Sequence, residues 1–187
     1  MSLGKRTRKK RSMCDTFKKS DYNSNDGMLT SVWGPSQWHF LHTMSFNYPV
    51  NPTEADKKHY RNYIYGLRHV LPCGKCRANL CKNLEKLPLE DKDLVSRDTF
   101  SRYVFRLHEL INKMLGKKSG LTFKQVRNTY ENFRSRCIVE PKTVKHKEKG
   151  CVKPLYGKKA KCVINIVPQE KKVDTFNVDK KCIKTLI

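Results

Sequence analysis

Apolar side chains recur at steps of three and four residues between positions 31 and 137, and this spacing is typical of helices that bury one face. We expect the first helix to begin after Gly34 and Pro35 and to be ended by Tyr48-Pro49. Its apolar face consists of Trp38, Leu41, His42 and Phe46.

A second helix is predicted to start at Thr53, because a threonine followed three residues later by Asp56 resembles a capping box. Its apolar face consists of Tyr60, Tyr63, Ile64, Leu67 and Val70. Pro72 suits the first position of a third helix, so we expect Cys73 and Cys76 in its opening turn.

Two further helices complete the pattern. The fourth is predicted from Asp98 to a stop at Gly116, with a long apolar stripe formed by Phe100, Tyr103, Val104, Leu107, His108, Ile111 and Leu115. Thr122 and Gln125 can cap a fifth, with its apolar face on Phe123, Val126, Tyr130 and Phe133. Short connections between these helices predict an all-α fold, a four-helix bundle plus a short fifth helix.

The segments on either side of this core differ from it in composition. Residues 1–30 mix basic runs with Ser, Asn and Asp and predict a disordered tail. Residues 138–187 are rich in lysine and contain one strand-like run, Cys162–Val167. We therefore divide the chain into a basic tail (1–30), a helical domain (31–137) and a C-terminal extension (138–187) whose fold is left open.

Positive charge dominates the composition, with 40 Lys and Arg against 17 Asp and Glu and a net charge of +23. Such a field attracts nucleic acid, anionic membranes or acidic protein surfaces without choosing among them. No apolar run approaches the ~20 residues that a membrane span needs. No apolar stretch follows the basic N-terminus, so we expect a protein that is not secreted.

Three of the eight cysteines lie in the stretch V-L-P-C-G-K-C-R-A-N-L-C, Val70 to Cys81. At the start of a helix, free backbone N–H groups and the helix dipole favour the thiolate form of cysteine. A zinc site needs four ligands, and no second C-x-x-C accompanies the first, so we expect no metal. The spacing favours a redox pair, and it leaves open a zinc module with Cys81 and His69 or a structural role.

Three segments, in matching order and spacing, resemble the Erv/ALR family of FAD-linked sulfhydryl oxidases. W-G-P-S-Q-W-H-F-L-H-T-M-S-F-N-Y-P, from Trp33 to Pro49, resembles the family's first helix, and L-P-C-G-K-C resembles its redox pair. L-H-E-L-I-N-K-M-L-G-K, from Leu107 to Lys117, resembles its flavin helix. The chain looks most like the short forms encoded by large cytoplasmic DNA viruses.

The resemblance implies an enzyme that forms disulfide bonds in protein dithiols. Cys73 would exchange disulfides with the substrate, Cys76 would pass the electrons to FAD, and oxygen would take them up with release of hydrogen peroxide. The resemblance also implies a homodimer built on the first two helices, and electrons that arrive from substrate dithiols or a thioredoxin-like carrier. A viral protein of this kind would act in the host cytoplasm or the virion.

The same resemblance carries over a set of FAD contacts, one position at a time. They are Gly34, Trp38, His42, Tyr48, His108, Asn112, Leu115, Lys117 and Tyr130. Among these, His108 and Tyr130 would pack on the adenine, and Lys117 would meet the pyrophosphate as a point charge.

The chain departs from the family pattern at Glu109, where Asn is usual, and at Phe123 and Tyr130, where many members have Cys and Trp. A second structural disulfide then lacks its first sulfur, so no partner is expected for Cys137. The tails also lack a shuttle dithiol. Either Cys73 receives electrons directly, or two tail cysteines among Cys14, Cys151, Cys162 and Cys182 come together in space.

A function of another class also fits the composition. The chain could be a basic nucleic-acid-binding or virion-packaging protein on a bundle that has lost its flavin. The tails would carry that function, although they lack the interleaved aromatic residues of single-strand-binding surfaces.

Overall fold

The computed structural model describes residues 19–138, 150–174 and 176–183. The predicted all-α class is confirmed, because α2 to α5 form the bundle and α6 is the short fifth helix. Two 3-10 turns, Asp91–Leu94 and Lys180–Cys182, and two strands, β1 (Ser135–Ile138) and β2 (Gly150–Pro154), complete the elements. The helices are α1 (Lys19–Tyr22), α2 (Thr30–Phe46), α3 (Glu54–Val70), α4 (Gly74–Lys86), α5 (Arg97–Met114) and α6 (Phe123–Glu131).

Both predicted capping pairs start their helices. At the start of α3, Thr53 Oγ1 accepts from the Asp56 N–H at 3.1 Å, and the Asp56 carboxylate accepts from the Thr53 N–H at 2.9 Å. Thr122 and Gln125 make the same reciprocal pair at the start of α6. Each pair satisfies backbone donors that the first helical turn cannot, which fixes where the helix begins.

The predicted start of the first helix is wrong by more than one and a half turns. α2 begins at Thr30 and continues through Pro35. Pro35 removes only the hydrogen bond that its own N–H would make, and it lies close to the exposed N-terminal end, where few bonds depend on it. The first turn is held instead by the Leu29 carbonyl, which accepts from the Val32 N–H at 3.0 Å.

Aromatic residues fill the centre of the bundle. The ring of Tyr48 lies 4.7 Å from Tyr60 and 4.8 Å from Phe100, and its hydroxyl donates to the Leu94 carbonyl at 2.9 Å. The predicted apolar faces are largely buried. The exceptions are Tyr63 on the outer surface of α3, Val70 at its last residue and Leu115 just beyond α5, which are exposed.

Two arginines fasten the C-terminal end of α2 to the rest of the bundle. Arg134 donates to the Phe46 carbonyl at 2.7 Å and pairs with both oxygens of Glu131. Arg97 donates to the Tyr48 carbonyl at 2.7 Å. The Arg134 bond satisfies a carbonyl that the helix end leaves free and holds the end of α6 beside α2, while the Arg97 bond ties the start of α5 to the residues after α2.

The strand-like run at Cys162–Val167 forms no strand. The strand of the extension is β2, which pairs antiparallel with β1 so that Ser135 faces Pro154 and Arg136 faces Lys153. A strand needs a hydrogen-bonded neighbour, and this ladder occupies β1 with residues 150–154 instead. The boundaries of the three predicted segments remain predictions. In the described ranges, no helix has the length and apolar character to cross a membrane.

Candidate active site

Cys73 and Cys76 are joined by a disulfide bond at the start of α4. Cys73 is the N-cap residue, and its sulfur accepts from the Cys76 N–H at 3.2 Å. Pro72 therefore precedes the cap, and the prediction that it occupies the first helical position is wrong. The extended backbone of Cys73 lets its sulfur take the capping role, which places the helix start after it.

Arg77 is bonded to the turn that carries the disulfide. The Arg77 guanidinium donates to the Leu71 carbonyl at 2.6 Å, and the Arg77 N–H donates to the Cys73 carbonyl at 3.0 Å. Arg77 thus ties together both ends of the turn that carries the two cysteines. A nearby cation and a helix N-terminus favour the thiolate that opening of a disulfide releases.

A short N-terminal segment, residues 27–30, lies against this turn, and sequence analysis missed it. The Met28 N–H donates to the Pro72 carbonyl at 2.8 Å, and the Trp33 indole donates to the Met28 carbonyl at 3.1 Å. At the end of the segment, Thr30 Oγ1 lies 3.5 Å from Cys76 Sγ. The chain before α2 therefore forms part of the wall around the disulfide.

A stripe formed by Thr30 and three predicted site residues runs from the disulfide along α2. Thr30, Gly34, Trp38 and His42 follow one another at four-residue steps, so they lie on one slowly turning face of the helix. At 1.5 Å per residue, the stripe extends about 18 Å from the cysteines. The helix therefore connects the disulfide to the aromatic residues of the predicted cofactor site.

Three predicted residues meet at the far end of this stripe. His42 Nε2 and His108 Nδ1 share a hydrogen bond of 2.9 Å. The indole of Trp38 stacks on the His108 ring, with ring centroids 3.9 Å apart and planes inclined by 6°. The structure thus brings Trp38, His42 and His108 together from two helices, α2 and α5.

Tyr130 of α6 extends this aromatic cluster. Its ring lies 5.1 Å from His42 and stacks on Phe46 at 5.6 Å. Burial raises the pKa of the Tyr130 hydroxyl to about 12, so the phenol stays neutral. His39, which sequence analysis missed, lies 5.7 Å from Tyr130, and its spacing of three residues from His42 was the available signal.

Phe176 of the C-terminal extension also packs on the cluster. Its ring lies 5.1 Å from His39 and 6.2 Å from Tyr130, nearly parallel to the tyrosine. Nothing in the lysine-rich sequence around Phe176 marks it for this role. The extension therefore contacts the bundle at a predicted cofactor residue.

The histidine pair is neutral at pH 7. The pKa of His42 is lowered from 6.5 to about 3, mainly by burial and to a smaller extent by the charges of His108 and His39. Burial also lowers the pKa of His108 to about 4; Glu109 opposes this shift and Lys117 adds to it. Among the described residues, the buried atoms His42 Nδ1, His39 Nδ1 and Gln37 Nε2 have no hydrogen-bond partner, which suits a polar ligand.

We predict that acid destabilises the cofactor-free protein through this pair. Because both folded-state pKa values lie below the unfolded value of about 6.5, the unfolded chain binds more protons as pH falls from about 6.5 to about 4. Each histidine should then cost up to about 1.4 kcal/mol of unfolding free energy per pH unit. Urea unfolding at stepped pH values measures this slope.

Two histidine variants, one test and one matched control, check the assignment of the acid effect. His42→Gln should flatten the slope, because it removes a buried imidazole, whereas His59→Gln should keep it, because His59 is exposed on α3. Equal slopes in the two variants would contradict the assignment to the buried pair.

The remaining predicted contacts lie apart from the cluster. Tyr48 is in the hydrophobic core. The Asn112 amide donates to Glu109 Oε1 at 3.1 Å, so the unusual glutamate engages the polar group expected to meet the cofactor. Leu115 and Lys117 are exposed beyond the end of α5, where Lys117 is near enough to affect His108. Their cofactor contacts stay predictions.

The other cysteines whose side chains the structure describes divide into two groups. Cys81, Cys162 and Cys182 are free thiols, and Cys151 is disulfide-bonded. Neither Cys162 nor Cys182 is therefore the partner of Cys151, while Cys14 lies outside the described residues. Across the described ranges, no group of three or more His, Cys, Asp or Glu side chains could hold a metal ion.

Comparisons with known proteins agree with this geometry. The family model Erv1 / Alr matches residues 35–133. A probable FAD-linked sulfhydryl oxidase of Acanthamoeba polyphaga mimivirus is 42% identical over 91 residues, which cover 49% of this chain and 64% of that protein. The mitochondrial FAD-linked sulfhydryl oxidase of Saccharomyces cerevisiae is 32% identical over 85 residues, 45% of this chain and 43% of the yeast protein.

A viral relative is matched over most of its length. The FAD-linked sulfhydryl oxidase of an African swine fever virus isolate is 30% identical over 111 residues, 59% of this chain and 90% of that protein. By contrast, the match spans less than two thirds of the mimivirus and yeast relatives.

The fold is that of a solved structure from this group. The crystal structure of the yeast Erv1 core superimposes with a TM-score of 0.50, covering 64% of this chain and 93% of the yeast chain at 22% identity. The family model spans the segment from the first bundle helix to the end of α6, including the Cys73–Cys76 pair and the aromatic cluster. The chain therefore belongs to the Erv1 / Alr family.

Proposed function

We propose that the protein is an FAD-dependent sulfhydryl oxidase, which forms disulfide bonds in protein dithiols and transfers the electrons to oxygen with release of hydrogen peroxide. The observation that carries this proposal is the position of the Cys73–Cys76 disulfide at the start of the α2 stripe. The relatives named above as FAD-linked sulfhydryl oxidases support it.

The residues of the stripe and of the aromatic cluster beside it fit FAD. Trp38, His108 and Tyr130 offer flat ring faces for a planar ring system. His42 Nδ1 and His39 Nδ1, which have no hydrogen-bond partner in the part of the chain that the structure describes, offer hydrogen bonds. A Cβ added at Gly34 would meet only its own helix neighbour Thr30, so α2 can be approached closely there. The neighbouring FAD contacts would come from Asn112, Leu115 and Lys117, with Tyr48 supporting the helix from the core.

The protein's own sulfurs would perform the thiol exchange. A substrate thiolate attacks Sγ of Cys73, the bond to Cys76 breaks, and its electron pair leaves on Cys76 Sγ. The second substrate thiol then attacks the mixed disulfide, so that the substrate disulfide forms and Cys73 leaves as a thiolate. Two electrons have then passed from the substrate to the Cys73–Cys76 pair. Bound FAD would supply the two-electron chemistry by which they pass on to oxygen.

The histidine pair would present two uncharged imidazole rings to the cofactor. Because His42 and His108 both stay uncharged at pH 7, they can hydrogen-bond to ring nitrogens or hydroxyls of a ligand as donor or acceptor. Their mutual bond of 2.9 Å fixes the orientation of both rings.

The proposal extends to a homodimer. Val32 and Phe40 of α2 and Tyr63 of α3 are apolar and exposed, and the rings of Phe40 and Tyr63 lie 6.3 Å apart. An apolar patch on the first two bundle helices suits a second copy of the chain. The protein would act in the host cytoplasm or the virion, with a thioredoxin-like carrier as an electron source; the charge of +23 would also allow nucleic acid to bind the tails.

The decisive experiment combines a spectrum with an oxygen electrode. The purified full chain should be yellow, absorb near ~450 nm, and consume oxygen and form hydrogen peroxide when dithiothreitol is added. A colourless chain that consumes no oxygen with dithiothreitol and added FAD would overturn the proposal.

A further inference from the structure

The sulfur of Cys76 has a hydrogen-bond donor that the family resemblance does not assign. Thr30 Oγ1 lies 3.5 Å from Cys76 Sγ. A sulfur in a disulfide carries no hydrogen, so the threonine hydroxyl is the donor in this contact. The other sulfur, Cys73 Sγ, accepts instead from a backbone donor, the Cys76 N–H, at 3.2 Å.

Contacts of the preceding residues, Gly27 and Met28, hold Thr30 at this sulfur. Thr30 is the first residue of α2. Two residues before it, the Met28 N–H donates to the Pro72 carbonyl at 2.8 Å. The Trp33 indole returns to the Met28 carbonyl at 3.1 Å. Gly27 lies so close to the cysteine turn that an added Cβ would be 2.9 Å from the Pro72 oxygen.

We propose that Thr30 is a positioning residue that stabilises the Cys76 thiolate when the disulfide opens, and that it thereby makes the Cys73–Cys76 pair more oxidising. Attack at Cys73 leaves the electron pair on Cys76 Sγ, the atom that the Thr30 hydroxyl faces. A hydrogen bond to an anionic sulfur is stronger than one to a disulfide sulfur, so the contact favours the reduced form.

The test is the redox equilibrium of the pair in the full-length protein, without oxygen. Wild type, Thr30→Val and Thr30→Ser are equilibrated with glutathione buffers, trapped with a maleimide and read by peptide mass spectrometry at Cys73 and Cys76. The Val variant should favour the disulfide by about three- to tenfold, because it keeps the shape and loses the donor. A tenfold change corresponds to about 30 mV for this two-electron couple. Thr30→Ser should stay within about twofold of wild type, because it keeps the hydroxyl.

Two results would overturn the inference. One is an unchanged equilibrium in Thr30→Val; the other is a shift in Thr30→Ser as large as in Thr30→Val, which would mean that the side chain acts only through packing.

Gly27→Ala tests the segment that holds Thr30. Its Cβ would meet the Pro72 oxygen at 2.9 Å and the Cys73 Cα at 3.0 Å, so the segment must move away from the turn. The equilibrium should shift in the same direction as in Thr30→Val, and an unchanged value would refute the positioning role of the segment.

The inference draws its significance from the proposed oxidase function, but the two can fail separately. A colourless, inactive protein would overturn the oxidase and would still show the Thr30 effect on glutathione exchange. An active oxidase with an unshifted Thr30→Val variant would overturn only the role of Thr30.

Discussion

Replacing Cys76 with serine is expected to lower dithiothreitol-dependent oxygen consumption at least about a thousandfold. Without Cys76 Sγ, attack on Cys73 has no leaving sulfur, and the two-electron step between substrate and the C-x-x-C pair cannot occur. Cys73→Ser should fail equally with a protein dithiol, because it removes the sulfur that substrate attacks. An oxygen electrode and a peroxide assay on the purified variants give the rates.

The matched control for both serine variants is Cys81→Ser. Cys81 is a free, half-buried thiol on the same helix, α4, so its replacement removes a cysteine without touching the disulfide. It should keep most of the wild-type rate. A Cys76→Ser protein that retains more than about a tenth of that rate would remove the disulfide from the mechanism, provided that all three variants bind equal amounts of FAD.

The helices were predictable because their signals are local. Thr53 and Asp56, or Thr122 and Gln125, are three residues apart, and each pair forms its hydrogen bonds wherever the rest of the chain lies. A bond between Cys73 and Cys76 was predictable for the same reason, since three residues of spacing at a helix start permit a disulfide. Only the start of α4 was misplaced: Pro72 in the first helical position would make Leu71 the N-cap, whereas the Cys73 sulfur takes the capping role.

Contacts between distant segments could not be predicted. Thr30 reaches a sulfur 46 residues away, and nothing in the sequence around Met28 indicates that its N–H binds Pro72. Phe176 packs on Tyr130 from the extension in the same unpredictable way. Strand pairing also depends on distant segments, so the β-propensity of the run at Cys162–Val167 forms no strand without a neighbouring strand.

Part of the aromatic cluster was predictable only through the family resemblance. Periodicity alone makes His42 and His108 ordinary members of two apolar faces, and it carries no information on their mutual hydrogen bond. Burial lowers the pKa of both rings, and this follows from the packing of α2 against α5 and not from any local pattern.

The largest expected effect on cofactor binding comes from His108→Ala. The change removes the ring that stacks on Trp38 and the bonding partner of His42 Nε2, whose other ring nitrogen already lacks a protein partner among the described residues. Loss of a stacking face and of an ordered hydrogen bond together should weaken FAD binding by about a hundredfold or more. Fluorescence titration of the cofactor-free protein with FAD measures this change.

His59→Ala is the control, because it removes an exposed histidine from α3 and leaves the cluster intact. His108→Asn separates folding from binding, since the amide can still bond to His42 but provides no ring for Trp38. If the Asn variant keeps the thermal midpoint of wild type and still loses FAD, the ring itself holds the cofactor. If His108→Ala binds FAD as tightly as His59→Ala does, the cofactor lies elsewhere, and the pair of histidines serves only the packing of α2 on α5.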